Sequence, residues 1–452
     1  MQSHSGILRE HSDARTPICF SENAGGIHID THEHSTLSKA PINPRARISQ
    51  VRSVVAIEFM TFHLEVLVAI CKHTIELQIP TTVISPRMGI QRAIGRIGGS
   101  SFEKLKTVAD LNSTPFKIAL SQNSEETHSL IEGAGAIFIG TIPPSPKPTQ
   151  PSQHSVRAQT RIQDMFTLVK RALSLDKLVY IVIHNPDVDA ARLIEMLSPE
   201  DCKKISIVSL STQTGNYCQS LFPDRFRSAL IMPAIGMHDA YADDRVPRGN
   251  TNVAIAVVGE ISSQRRDYES LADLCMERAW LQQQGIRIQI IGRIKPESGI
   301  ENLLRRVRLP AAWIFLVKYP KLLPLWLAGI LDLSMTRHSR ISDKALDNAI
   351  LDASCLLDLH LPHYLVKGKT SGAEGLAMTY LKPLIGLGDL KSVIANASSD
   401  TTRAKLLEQL IVQSAECSAQ RRELLQQQFR EQLMQDLTFA NQQTPSHGLS
   451  GS

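Results

Sequence analysis

The chain has 452 residues, 42% hydrophobic and 21% charged, with seven cysteines and a net charge of +5. That composition excludes chain-wide disorder, a collagen-like repeat and a disulfide scaffold, and the length suits two or three domains. The charge is too small for this length to argue a nucleic-acid or anionic-membrane partner by itself. Scattered cysteines, odd in number and without a Cys-x-x-Cys pair, read as reduced thiols in a cytoplasmic protein.

Residues 1–48 are rich in Ser, His, Gly and Pro, lack an apolar signal-like run and show no periodicity, so disorder is expected there. His28, His32 and His34 match no zinc-ligand spacing. Short apolar runs then read as strands: Val54–Phe59, Thr81–Ser85, Phe116–Ser121, Ala136–Gly140, Leu178–His184, Lys204–Leu210 and Leu230–Pro233. Helical spacing covers His63–Gln78, Met88–Thr107, Ser124–Gly133, Val156–Asp176 and Asp187–Leu197, and a last helix runs to about Ser228. Fully apolar strands alternating with amphipathic helices predict a parallel sheet covered on both faces, hence an N-terminal Rossmann-like domain over 49–240. The Pro/Ser-rich stretch 142–155 is a loop within it.

A polar linker, 237–250, leads to a second run. Strand Asn252–Ile261 precedes helix Arg265–Gln284, which Gly285 ends. Strand Ile286–Gly292, helices Ser298–Val307 and Asp343–Ala353, strand Cys355–Leu359, helix Ser371–Tyr380 and strand Pro383–Gly386 complete a second Rossmann-like domain over 250–395. Between them, Leu309–Leu333 is apolar but broken by Lys318, Lys321 and three prolines, so it does not span a membrane. It reads as a buried strand and helix joined by a turn, or, with Trp313 and Trp326, as a weak membrane-surface contact. A Gln-rich helix over 401–437 carries a stripe of Leu406, Leu410, Cys417, Leu424, Phe429 and Leu433, expected to pack back on the body within 396–438. Residues 439–452 are expected to be a flexible tail.

Ligands of open parallel sheets bind beyond the carboxyl ends of the strands. There the second domain has Gly259-Glu260, followed by Arg265-Arg266 at an expected helix start. Cations are disfavoured at that end of a helix, yet they suit a phosphate. The alternative is two solvated arginines. Later, Lys369-Thr370-Ser371-Gly372 opens a helix: Ser371 or Thr370 caps it, Gly372 admits a ligand close to the backbone, and Lys367 and Lys369 add charge. The alternative is an ordinary capped helix. Neither a Walker loop nor a Gly-x-Gly-x-x-Gly fingerprint is present. In the first domain His63 and His184 stand at strand ends, where an imidazole serves as general base, or as a capping or core residue.

Gly259-Glu-Ile-x-x-x-Arg-Arg-Asp-Tyr-x-x-Leu271, Ile290-Ile-Gly-Arg293, Tyr364…Lys369-Thr-Ser-Gly372 and Lys382-Pro-Leu-Ile385 together resemble the C-terminal half of a GT-B glycosyltransferase of the family 1 and 4 kind. The resemblance implies two Rossmann-like domains facing across a cleft, acceptor side first and donor side second, with a C-terminal helix packing back. It implies a nucleotide-diphosphate sugar as donor substrate, an acceptor of unspecified chemistry, and neither a cofactor nor a metal. Arg265, Arg266, Lys369, Ser371 and Gly372 would then hold the diphosphate, and His63, His184 and Glu374 are the catalytic candidates. Departures are Leu376 where many members carry a second glutamate, Leu381 in place of a glycine, and Met60–His63 in place of a Gly-Gly loop. They keep two rivals in view: a non-catalytic binding or scaffold protein, and a sugar-nucleotide epimerase of the same fold.

Overall fold

The computed structural model describes residues 53–59, 64–91, 107–110, 125–143, 153–233, 253–294, 303–304, 309–336, 341–361, 372–396 and 399–442. His63, Lys369, Ser371, the strand expected at 116–121, the linker 237–250 and the terminal segments 1–48 and 443–452 lie outside the described residues.

Two parallel sheets form. The first has seven strands: β1 (Ser53–Ile57), β2 (Thr81–Ser85), β3 (Thr107–Asp110), β4 (Ala134–Ile139), β5 (Leu178–Ile183), β6 (Ile205–Ser209) and β7 (Ser228–Ile231), in the order β3-β2-β1-β4-β5-β6-β7. The second has β8 (Ala254–Val258), β9 (Arg287–Arg293), β10 (Leu331–Thr336), β11 (Cys355–Asp358) and β12 (Leu384–Gly386), in the order β10-β9-β8-β11-β12. Every pair is parallel, with Val54 opposite Thr81 and Ile255 opposite Ile288. Each sheet thus starts in its middle and reverses direction once, between β1 and β4 and between β8 and β11. The inner strands are buried on both sides, as Val54-Val55-Ala56-Ile57 and Tyr180-Ile181-Val182-Ile183 require.

The helices are α1 (Leu64–Glu76), α2 (Glu125–Glu132), α3 (Gln153–Ser174), α4 (Pro186–Met196), α5 (Thr212–Leu221), α6 (Arg278–Gln283), α7 (Ala311–Lys318), α8 (Leu323–Leu327), α9 (Asp343–Asp352), α10 (Gly372–Tyr380), α11 (Leu387–Asn396) and α12 (Asp400–Gln442). Three expectations are corrected. Thr107, expected to end a helix that starts at Met88, instead opens β3 and pairs with Thr82; residues 92–106 lie outside the described residues. The helix expected over Arg265–Gln284 does not begin at the arginines: a 3-10 segment, Glu269–Glu277, precedes α6. Leu309–Leu333 is not a strand followed by a helix but α7, a 3-10 turn over Pro320–Leu322, α8 and then β10. Alternation within an apolar run does not separate strand from buried helix, and the prolines sit at helix starts, where a missing N–H costs nothing.

Five joints from helix to strand share one device. Before β2, β5, β9, β10 and β12 the chain passes through a left-handed residue: Gln78, Asp176, Gly285, Gly329 and Leu381. In each the next N–H bonds five residues back, as Ile79 to Thr74, Lys177 to Ala172 and Lys382 to Ala377 do. Gly285 was legible in the sequence. The non-glycines Gln78, Asp176 and Leu381 are not, because a Cβ there is disfavoured and only the tertiary path imposes it. Gln78 is exposed at φ 56°, so Gln78→Gly loses no packing. It is expected to raise stability by up to about 1 kcal/mol, read as a higher urea midpoint.

Helix α12 ties the two sheets together. Leu407 and Ile411 join the apolar cluster of the second sheet, which includes Leu390 and Ile394. Phe429, Leu433 and Leu437 join a cluster that contains Phe138 and Tyr180 of the first sheet and also Val258 and Leu356 of the second. The expected stripe is shifted: Cys417 and Leu424 are exposed, while Leu407, Ile411 and Leu425 are buried. Polar anchors fix the end of the helix. Tyr180 Oη donates to Asp436 Oδ2 at 2.6 Å, and Arg227 meets the same oxygen at 2.5 Å. Arg430 donates through Nε to His73 Nδ1 at 3.2 Å and pairs with Glu76.

Candidate functional site

The crevices where a parallel sheet changes direction are its ligand positions, and both carry charged side chains. At the second, β8 is followed by Gly259, whose φ of 120° suits only glycine. Gly292 on β9 lies so close that a Cβ would collide with the Gly259 carbonyl. The loop after Gly259 first follows β9, with Ile261 N–H bonded to the Arg293 carbonyl at 3.0 Å. It then crosses to β11. Arg266 forms an antiparallel bridge with His360, Asp267 N–H donates to the Leu359 carbonyl at 2.8 Å, and Leu361 N–H donates to the Arg265 carbonyl at 3.0 Å. This two-sided pairing arches the loop over the β8–β11 crevice. It is also why Arg265 and Arg266 sit in a loop instead of at a helix start.

The two arginines therefore differ. Arg266 is buried, donating to the Val258 carbonyl through Nη2 and to Tyr268 Oη through Nη1 at 3.4 Å. A Cβ on Gly259 would lie 2.7 Å from its Nη2, so that glycine and this arginine are matched. Arg265 is more exposed; its Nη1 meets Glu260 Oε2 at 3.0 Å, while Arg293 Nη2 reaches Glu260 Oε1 at 3.3 Å. One carboxylate is thus gripped from both sides by guanidinia.

At the end of β11, Asp358 accepts from the His360 backbone N–H at 3.0 Å and from the His360 imidazole Nδ1. Burial opposes the charged form of this carboxyl, but the His360 hydrogen bonds and charge, then Arg266, hold it below the usual range. An ionised Asp358 makes Nδ1–H the donor and so sets the imidazole tautomer. Asp358 and His360 were missed in the sequence, where Asp-x-His directly after an apolar strand was the available signal. Glu374, in the first turn of α10, has a raised pKa, first from burial and then from the nearby Asp358 charge, with Arg421 opposing. Arg421 Nη2 approaches Glu374 Oε1 at 3.4 Å and Thr212 Oγ1, at the start of α5, at 3.3 Å. One guanidinium therefore joins helices that follow strands of the two different sheets. Gly372 is the first residue of α10. Lys382, quoted in the sequence motif, has its ammonium on the Leu351 and Ala353 carbonyls at the end of α9, at 2.7 and 2.6 Å.

At the first crevice Glu58 follows β1 and is 2% exposed. Thr141, beyond β4, donates to its Oε2 at 2.8 Å, and Gly140 leaves the room the carboxyl occupies. His184 follows β5; its N–H bonds Asp189 at 2.9 Å and its Nε2 lies 3.3 Å from the Gly140 carbonyl. The structure thus brings Arg265, Arg266 and Glu374 to the second crevice, and His184, with the unforeseen Glu58, to the first.

No family model matches the chain, and no curated protein matches it. Among solved structures the chain is similar to AviGT4, a glycosyltransferase involved in avilamycin A biosynthesis, at 11% identity over 87% of this chain and 99% of that one, with a TM-score of 0.40. It is similar to a UDP-N-acetylglucosamine 2-epimerase from Rickettsia bellii at 7% identity over 87% and 99%, TM-score 0.39. A trehalose 6-phosphate synthase from Burkholderia multivorans aligns at 10% identity over 86% and 98%, TM-score 0.39.

Proposed function

We propose that the chain is a GT-B-type glycosyltransferase that holds a nucleotide-diphosphate sugar at the β8–β11 crevice and an acceptor at the β1–β4 crevice. The observation that carries this reading is the pair of guanidinia, Arg265 and Arg293, converging on Glu260 over a reversal point of a parallel sheet. A diphosphate offers the same fork of oxygens with more charge, so it competes for that pair. Arg266, turned inward, positions the loop instead of touching the donor. Gly372 at the start of α10 lends backbone N–H groups, and Lys369 and Ser371 precede it in the chain.

In this mechanism an acceptor hydroxyl attacks the anomeric carbon, the bond to the diphosphate oxygen breaks, and the nucleoside diphosphate leaves with its charge met by Arg265 and Arg293. The hydroxyl proton passes to His184 or His63. Glu374, in the first turn of α10, hydrogen-bonds the donor. No cofactor or metal enters this scheme. We place the protein in the cytoplasm, a reading that rests on scattered cysteines, odd in number and without a Cys-x-x-Cys pair.

One observation favours the non-catalytic rival: the loop closes over the β8–β11 crevice by pairing with the chain's own β11 extension. Thermal unfolding against nucleoside diphosphates and their sugars separates the readings. A ligand at a hundred times its Kd is expected to raise the midpoint by about 3 °C, and Arg265→Ala with Arg293→Ala is expected to remove the shift. Absence of any shift at millimolar ligand would leave the scaffold reading standing. Nucleoside diphosphate released only when acceptor is present marks a transferase; an altered sugar nucleotide without acceptor marks an epimerase.

A further inference from the structure

The surface built by α7, the 3-10 turn and α8 takes no part in either crevice. On α7, Trp313 and Val317 are 46% and 54% exposed and one helical turn apart, so they share a face. On α8, Leu323 and Leu327 are likewise one turn apart, and Leu327 is 70% exposed. The Trp313 and Trp326 rings meet edge to face at 5.5 Å, joining the two helices into one apolar strip. Isolated exposed apolar residues are ordinary, but a continuous strip marks an interaction surface. The rest of each helix explains its fold: Ile314, Phe315, Leu322 and Leu325 are fully buried beneath, so the outward residues are not needed for the core.

Within the segment that builds the strip the charge has one sign. Residues 309–330 contain no Asp or Glu but carry Lys318 and Lys321. Arg278 lies beside α8, where it lines, with Gln282, Leu323, Pro324, Leu327 and Ala328, an open depression of about 440 Å³. Of the acids near it, Asp273 pairs with Lys391 at 2.5 Å and Glu277 with Arg403 at 2.9 Å, while Asp332 stands just beyond its end. No helix among the described residues is long and apolar enough to cross a membrane.

We infer that this strip is a docking surface for an anionic phospholipid bilayer, on which the protein lies without spanning it. Tryptophan is suited to the boundary between head groups and acyl chains. The aliphatic residues enter the outer acyl layer, and Lys318, Lys321 and Arg278 meet the phosphates. The depression with its single guanidinium over an apolar floor accepts one phosphorylated head group. The inference is independent of the sugar-transfer reading, since none of these residues touches either crevice.

Flotation of the full chain with vesicles tests it. Binding is expected to vesicles rich in phosphatidylglycerol, to weaken with salt, and to be slight with phosphatidylcholine alone. Trp313→Ala with Leu327→Ala is expected to weaken binding by about tenfold or more, and Lys321→Glu to weaken it while leaving the apolar strip intact. Both variants replace exposed side chains, and any nucleotide-induced thermal shift is expected to persist in them. The inference is overturned by absence of flotation, by flotation that the variants leave unchanged, or by a concentration-dependent dimer that the Trp313/Leu327 variant abolishes, which would assign the strip to a second copy of the chain.

Discussion

Acidification from pH 6.5 towards 3 is expected to remove about 1.4 kcal/mol of stability per pH unit through His73 alone, approaching about 5 kcal/mol in all. His73 closes α1 and is fully buried. Its pKa is lowered to about 3, first by burial, then by the Arg430 charge beside it, with a backbone contact at Pro233 opposing. The Arg430 Nε donates to its Nδ1, which places the proton of the neutral ring on Nε2. The unfolded chain protonates this histidine near pH 6.5 and the folded one does not until about 3. The stabilisation is therefore complete above the first value and is lost as pH falls through the second. Urea midpoints from pH 7 to 4, compared with His73→Gln, isolate the contribution. The amide oxygen still accepts from Arg430 but does not titrate, so the variant is expected to show a slope smaller by one proton. Identical slopes would assign the acid sensitivity to other groups.

Phe429→Ala is expected to cost about 3–5 kcal/mol, the range for deleting a buried aromatic side chain. Phe429 is 2% exposed, with its ring 4.8 Å from His73 and 6.5 Å from Phe138. It lies on α12, which reaches from the first sheet to the second. A cavity there loosens the attachment of the helix and admits water to the imidazole. The variant is therefore also expected to flatten the pH dependence of His73, so the two substitutions should not add. A loss below about 1 kcal/mol in denaturant unfolding would mean that α12 is a peripheral helix rather than part of the core.

Glu374 and Asp358 show how far side-chain chemistry depends on fold. Neither Asp358, at the end of an apolar strand, nor Glu374, in the first turn of a helix, looks unusual locally. Their pKa directions diverge because α10 starts beside the β11 end: Asp358 has the His360 N–H groups, whereas Glu374 is buried and feels the Asp358 charge. Arg421 lies more than forty residues further along the chain and arrives through the docking of α12.

The sequence by itself determined the class of architecture: β-branched runs with no polar face demand sheets covered on both sides, and the helical spacings between them impose parallel crossovers. It also placed most strand positions, the Gly285 helix end and the existence of a long terminal helix. Tertiary structure decided the rest. Local spacing assigns Arg265 and Arg266 to a helix start, because it sees only near neighbours. Pairing with Leu359–Leu361, about ninety-five residues away, held them in a loop and sent one guanidinium inward and the other outward. The buried stripe of α12 was misplaced because a long polar helix has several weakly apolar faces, and the surfaces of two sheets chose among them. Leu381 took a left-handed conformation that its own side chain disfavours, since the start of β12 left no other path. In each case a long-range pairing or packing energy exceeded a local preference of about 1 kcal/mol.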